Sequence, residues 1–345
     1  MKKPFLYIAI VVGVVCLLVI FFSMHSKEVY KVNLIENKYA LSPHQEDYIY
    51  LPVTIADSMF VFLFDTGTGM NFIDIENVDG MLTDSVYVSK QKMYLARSVF
   101  EDSVAISKID YSIGNLKLNN FMLLDGYKRY MHPKRYAAGI LGGDVINQYN
   151  WLFYFDNDFV KISRRTLKIN KLKNDRILSL NFKLLDLKTY VDLNVGGISI
   201  DNVMFDAGYK YYIDTALPGS LTEKLSGVDI ILSDSVFTNL TNNLTSSGYV
   251  VHFNETYKGI ILDSIQINDF TMHSVFAATI PDNENYASRT YITSNFVRRF
   301  RMMYYDSENK KIDLYVSPAD SLVYNRKNIQ ELLQYIKQNP QEIIN

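Results

Sequence analysis

An all-β fold is what this sequence predicts, and three observations predict it. Side chains that pack well on a pleated surface abound, with 26 Tyr, 20 Phe and many Val and Ile among 345 residues. Apolar and polar residues alternate over short runs, which is the period of a half-buried strand. The long heptads and Ala/Glu/Lys-rich stretches of a helical bundle do not occur in the sequence.

Length suggests about two domains, and a hydrophobic share of 48% is enough for sizeable cores. A formal net charge of -2, with both signs mixed along the chain, leaves no electrostatic footprint for nucleic acid. At the N-terminus, Lys2 and Lys3 precede FLYIAIVVGVVCLLVIFF (Phe5 to Phe22), close to the roughly 20 apolar residues that span a bilayer. Residues 1–26 are therefore read as a transmembrane anchor or signal segment. Basic residues ahead of the run favour a cytoplasmic N-terminus and an exported remainder. The following SMHS lacks the small-x-small pattern of a cleavage site, so an uncleaved anchor comes first and a cleaved signal peptide second. Cys16, the single cysteine, lies inside this run as a membrane-facing side chain, so the exported part can form no disulfide.

The rest of the chain repeats itself. VFLFDTGTGMNFID places Asp65 after an apolar strand and soon reaches Phe72-Ile73-Asp74; NVMFDAGYKYYID does the same with Asp206 and Tyr212-Ile213-Asp214, about one compact domain later. Each acid is followed by a second shared pattern. AAGILGGDVINQYNWLFYFDNDFVKIS (Ala137 to Ser163) holds a Gly-rich turn, a short helical stretch, a strand, a polar turn at Asp156-Asn157-Asp158 and a returning strand. TYITSNFVRRFRMMYYDSENKKIDLYV (Thr290 to Val316) repeats that layout around Asp306-Ser307-Glu308-Asn309. Between them MYLARSV, YSIGNLKLNNFMLL, YKGIILDSIQI and HSVFAATI read as half-buried antiparallel strands, and LKNDRILSL reads as the crossing between halves. ADSLVYNRKNIQELLQYIKQ has helical spacing and predicts an amphipathic tail helix.

In these motifs the chain resembles the two-lobed, pepsin-like aspartic peptidases, which are related to the dimeric retropepsin-like enzymes. The likeness rests on Phe64-Asp65-Thr66-Gly67-Thr68 with Ile140-Leu141-Gly142, and on Phe205-Asp206-Ala207-Gly208 in the second half. It runs from about residue 37 to residue 316. It implies a first lobe over 37–168, a second over 169–318 and the tail helix over 319–345. It further implies hydrolysis of peptide bonds by Asp65 and Asp206 as a water-activating pair in an inter-lobe cleft. Thr66, Gly67, Thr68, Ala207 and Gly208 would support the pair, and Tyr94, Tyr209 and Gly142 are candidates for the substrate cleft. A covering hairpin is expected between Val86 and Ser103, with Tyr94 as its aromatic tip.

An isolated buried carboxylate is costly, whereas two facing carboxylates share one proton and are held by donors from the glycine loops. Gly67 and Gly208 let backbone approach closely where a side chain would obstruct it. The second half departs from the family pattern in three places: Ala207 replaces a hydroxyl residue, Tyr209 stands where a small residue is usual, and Tyr291-Ile292-Thr293-Ser294 lacks a glycine. These departures leave open a catalytically inactive, pepsin-fold binding or scaffolding protein.

The resemblance implies no cofactor, a peptide or protein substrate and a monomer, and the N-terminal apolar run implies a membrane-anchored domain outside the cytoplasm. The absence of disulfides favours a bacterial periplasm or cell envelope. Other chemistries lack their motifs. The five histidines, His25, His44, His132, His252 and His273, are scattered without His-Glu-x-x-His, and no zinc site is expected. Gly197-Ile198-Ser199-Ile200-Asp201 lacks the last glycine of a serine nucleophile elbow. The triplets beginning at Asn239, Asn243 and Asn254 fit a glycosylation acceptor and read as exposed loop. Asp74 and Asp214 read as exposed strand ends.

Overall fold

The computed structural model describes residues 29–35, 48–74, 85–95, 98–124, 137–209, 228–243, 248–252, 258–279 and 290–316, together with 334 and 338. The expected N-terminal membrane segment with Cys16, the segment Tyr212 to Asp214, the triplet at Asn254 and nearly all of the expected tail helix lie outside these residues. Among the described residues no helix is long and apolar enough to cross a membrane.

Strands dominate, as the aromatic and β-branched content requires. The first half of the chain forms β1 (Tyr30–Asn33), β2 (Tyr50–Ile55), β3 (Ser58–Phe64), β4 (Phe72–Asp74), β5 (Ser85–Leu95), β6 (Ser98–Ile113), β7 (Leu116–Leu124), β8 (Gly139–Leu141), β9 (Asn150–Tyr154) and β10 (Phe159–Ser163). The second half forms β11 (Arg176–Leu185), β12 (Lys188–Val195), β13 (Ile198–Phe205), β14 (Ile230–Leu232), β15 (Gly248–His252), β16 (Lys258–Ile267), β17 (Phe270–Thr279), β18 (Tyr291–Ile292), β19 (Met302–Asp306) and β20 (Lys311–Val316).

The strand order is duplicated. One sheet runs β2-β3-β8-β4-β7-β6-β5 with β2 also on β6, and its counterpart runs β12-β13-β18-β14-β17-β16-β15 with β12 also on β16. Directions match as well: β3 is parallel to β8 and β13 to β18, while β4 is parallel to β7 and β14 to β17. The remaining strands, β1-β10-β9-β19-β20-β11, join the halves through the antiparallel pair β9 and β19. Sequence alternation explains the strands directly. In β11 Leu178, Leu180 and Phe182 turn inward while Ser179, Asn181 and Lys183 face out. Under the joining sheet, Phe64 packs edge-on against Trp151 and Phe153, and the Trp151 indole N–H donates to the Ile146 carbonyl at 2.9 Å.

Four expectations change in detail. MYLARSV is not one strand: it spans the end of β5, residues 96–97 and the start of β6. HSVFAATI is not half-buried, because β17 is flanked by β14 and β16 and Val275 to Thr279 are all buried. LKNDRILSL is only partly a crossing, since from Arg176 it is strand and pairs with β20. Asn239 and Asn243 are exposed as expected, yet they sit on the helix Asp234–Asn243, whose Phe237 and Leu240 are buried, and not in a loop.

Candidate active site

Strand β3 delivers Asp65 to its C-terminal end, and β13 delivers Asp206 in the same way. The backbone brackets are equivalent. Asp65 N–H donates to the Leu141 carbonyl and Asp206 N–H to the Ile292 carbonyl, both at 3.0 Å. Gly67 N–H donates to Asp65 Oδ1 at 2.9 Å, and Gly208 N–H donates to Asp206 Oδ1 at 3.1 Å. Asp65 and Asp206 are 6% and 8% exposed. Burial at the end of an apolar strand is thus matched by main-chain donors, as a desolvated carboxylate requires.

The loops meet reciprocally. A Cβ added to Gly67 would lie 2.3 Å from Cγ of Asp206, and one added to Gly208 would lie 2.3 Å from Cγ of Asp65. Each carboxyl therefore rests on the glycine of the other half, and neither position has space for a side chain. Thr66 ties the loops together: its hydroxyl donates to the Phe205 carbonyl at 2.5 Å and accepts from Ala207 N–H at 3.0 Å. Ala207 is fully buried and returns no side-chain hydrogen bond, so the tie runs in one direction.

Behind each loop lies the segment with Gly142 or its counterpart. Gly143 N–H donates to the Thr68 carbonyl at 2.7 Å, and Ser294 N–H to the Tyr209 carbonyl at 2.9 Å, so Thr293-Ser294 occupies the place of Gly142-Gly143. Gly142 is needed because a Cβ there would lie 2.1 Å from the Met70 carbonyl oxygen; its N–H donates to Asn71 Oδ1 at 2.8 Å. Thr293 solves the same position differently. Its N–H donates to the Asp229 carbonyl at 3.0 Å and its hydroxyl to the Val228 carbonyl at 2.5 Å. The missing second glycine is therefore compatible with the duplicated fold. Tyr209 is buried, with its ring 5.6 Å from that of Tyr291.

Other predicted residues fall as follows. Tyr94 lies on β5 opposite Val99, next to Leu95 and Ser98, the last described pair of the β5–β6 hairpin. Asp74 ends β4; Asp214 lies outside the described residues, and the strand in the place of β4 in the second half is β14, which starts at Ile230. Asp156 belongs to the tight turn Phe155–Asn157, and Asp306 accepts from Asn309 N–H at 2.9 Å across the β19–β20 turn.

Several residues near the site carry no motif. Asp229 is fully buried; it pairs with Arg299 at 3.1 Å and accepts from Phe276 N–H at 3.0 Å. Arg299 also donates to the His273 carbonyl. Asp144, on the short helix Gly143–Ile146, is pushed up to about 6 by burial, against the backbone N–H groups of Asn71, Val145 and Asp144 itself. Polar residues two to six positions past the glycine loop would have pointed to Asn71; nothing local marks Asp229 and Arg299 as partners. Among the described residues, no three His, Cys, Asp or Glu side chains gather as a metal site would need. Neither a family model nor a curated protein matches this sequence.

Proposed function

We propose that this chain is an aspartic endopeptidase of the pepsin-like, two-lobed kind, held at a membrane by its N-terminal segment with the catalytic domain outside the cytoplasm. The observation that carries the reading is the reciprocal seating of Asp65 and Asp206 on each other's loop glycine. On this reading the pair works with one proton between its two members, as the two-carboxylate mechanism requires. The charged member takes a proton from a water molecule as its oxygen attacks the peptide carbonyl carbon. The protonated member gives its proton to the carbonyl oxygen, and a tetrahedral diol forms. Collapse returns a proton from the diol to the pair, delivers one to the amide nitrogen and breaks the C–N bond, leaving a carboxylic acid and an amine. The β5–β6 hairpin, longer than its counterpart β15–β16, would cover an extended peptide, with Tyr94 near its tip.

The test offers a mixed peptide library to the full chain from about pH 3 to about pH 7, beside Asp65→Asn and Asp206→Asn. Either substitution is expected to reduce cleavage by about a thousand-fold or more. Equal cleavage by all three proteins excludes the pair.

A second reading is favoured by Ala207, which leaves the inter-loop tie one-sided: a pepsin-fold protein that binds peptides without cutting them. It predicts peptide binding that survives both Asp→Asn changes and no cleavage at any pH.

A further inference from the structure

Strands β11 and β12 of the second half form a hairpin closed by Asp186 and Leu187. Both turn residues have positive φ, 51° and 65°. Neither is glycine, and a leucine in that region persists only where its surroundings hold it. Here they do. The Asp186 carbonyl oxygen lies 2.6 Å from where a Cβ of Gly69 would be, and the Leu187 carbonyl oxygen 1.9 Å from where a Cβ of Gly143 would be. The hairpin tip of the second half thus seats on two glycines of the first.

From that tip a directional chain of hydrogen bonds reaches the Asp65 loop. The Asn147 side-chain amide donates to the Leu187 carbonyl at 2.8 Å, which fixes its oxygen as the acceptor facing Tyr305. The Tyr305 hydroxyl donates to that oxygen at 2.6 Å, leaving its own oxygen to accept from the Thr189 hydroxyl at 2.9 Å. Thr189, in turn, donates its backbone N–H to the Thr66 carbonyl at 3.0 Å. Thr189 and Tyr305 are both buried.

We infer that the Thr189 hydroxyl, held by Tyr305 and Asn147, fixes the position from which the Thr189 N–H braces the Asp65–Thr68 loop from the second half, so that Thr189 is a positioning residue, in compensation for the hydroxyl that Ala207 lacks. This rests on the aspartic peptidase reading above. The brace acts on Thr66, whose side chain ties the two loops together. Without it, Asp65 loses a restraint transverse to β3 and the pair is held less often in register.

The test uses the full chain and Thr189→Val, Tyr305→Phe, Thr189→Val with Ala207→Ser, and the control Tyr304→Phe. Tyr304 lies on the same strand with a buried hydroxyl that accepts from Leu167 N–H at 3.1 Å, away from the loops. Thermal melting first establishes that each variant is folded. Amide hydrogen exchange at Thr66 to Thr68 is then read beside kcat and KM on a cleaved peptide. Thr189→Val and Tyr305→Phe are expected to speed loop exchange about tenfold and lower kcat about tenfold with KM within about twofold. Ala207→Ser should recover kcat in the Thr189→Val background, and Tyr304→Phe should change neither quantity. Loop exchange and kcat no different from the control overturn the brace. Should the unaltered chain show no cleavage dependent on Asp65 and Asp206, the peptidase reading fails, and exchange alone decides the brace: faster in both variants supports it, unchanged overturns it.

Discussion

Asp144 stands directly behind the Asp65 loop, on the helix whose first N–H groups hold Thr68 and Gly69. One of its carboxyl oxygens, Oδ1, and the amide nitrogen of neighbouring Asn71 have no hydrogen-bond partner among the described residues. Burial therefore favours the neutral acid, moving it from the ordinary 3.8 to about 6. Between those values the folded chain keeps a proton that the unfolded chain has released. The stability this confers is complete below the lower value and is lost as pH rises through the upper one. Asp144→Asn should abolish that part of the pH dependence, making the protein more stable than the unsubstituted chain near pH 7 and little changed near pH 4. Urea unfolding across that range measures it; parallel pH profiles for the two proteins would refute the assignment. The substitution leaves Asp65 and Asp206 untouched, so its effect on stability is separable from any on cleavage.

At the scale of elements, the duplicated motif was legible and its spacing was not. Phe-Asp-x-Gly after an apolar strand marks both loops, because only a chain that must approach another backbone needs glycine at that point. The strand that takes the place of β4 in the second half is β14, built from Ile230 to Leu232 and defined by its pairing with β17 and β18; nothing in the Phe72-Ile73-Asp74 pattern marks it. Local resemblance carries no information about partner strands. The same limit hid Asp229 and Arg299, which are far apart in sequence and have no periodic signal. Their ion pair is buried, with Asp229 fully enclosed. Removing one charge strands the other away from water. Arg299→Met should therefore destabilise the protein by about 3 to 5 kcal/mol, measured by chemical denaturation. A cost near that of an exposed pair would mean that the carboxyl is neutralised or solvated. Because the Asp229 carbonyl also receives Thr293 N–H, the variant should loosen the Asp206 side of the site before the Asp65 side.

For the molecule as a whole, the joining sheet makes the halves one mechanical body. β9 and β19 lie side by side at its centre, and Asp175, just before β11, forms a buried ion pair with Arg301 at the start of β19. Trp151, the single tryptophan, sits fully buried on β9 against Phe64 of the strand that carries Asp65. Its fluorescence therefore reports on the junction. Emission should shift to longer wavelength at the same urea concentration at which cleavage is lost, as one cooperative transition. Loss of cleavage well before the shift would show that the halves part while their cores persist.

The unlike walls around the two acids have a further result. Thr68 and Gly142 flank one, Tyr209 and Thr293 the other, and the hairpin tip at Asp186 and Leu187 seats on Gly69 and Gly143 behind the Asp65 loop. An assembly of two identical subunits would welcome a peptide threaded forwards or backwards alike. On the proposed reading, this single chain distinguishes the ends of its guest, so cleaved sequences collected from it should show different residue preferences on the two sides of the broken bond.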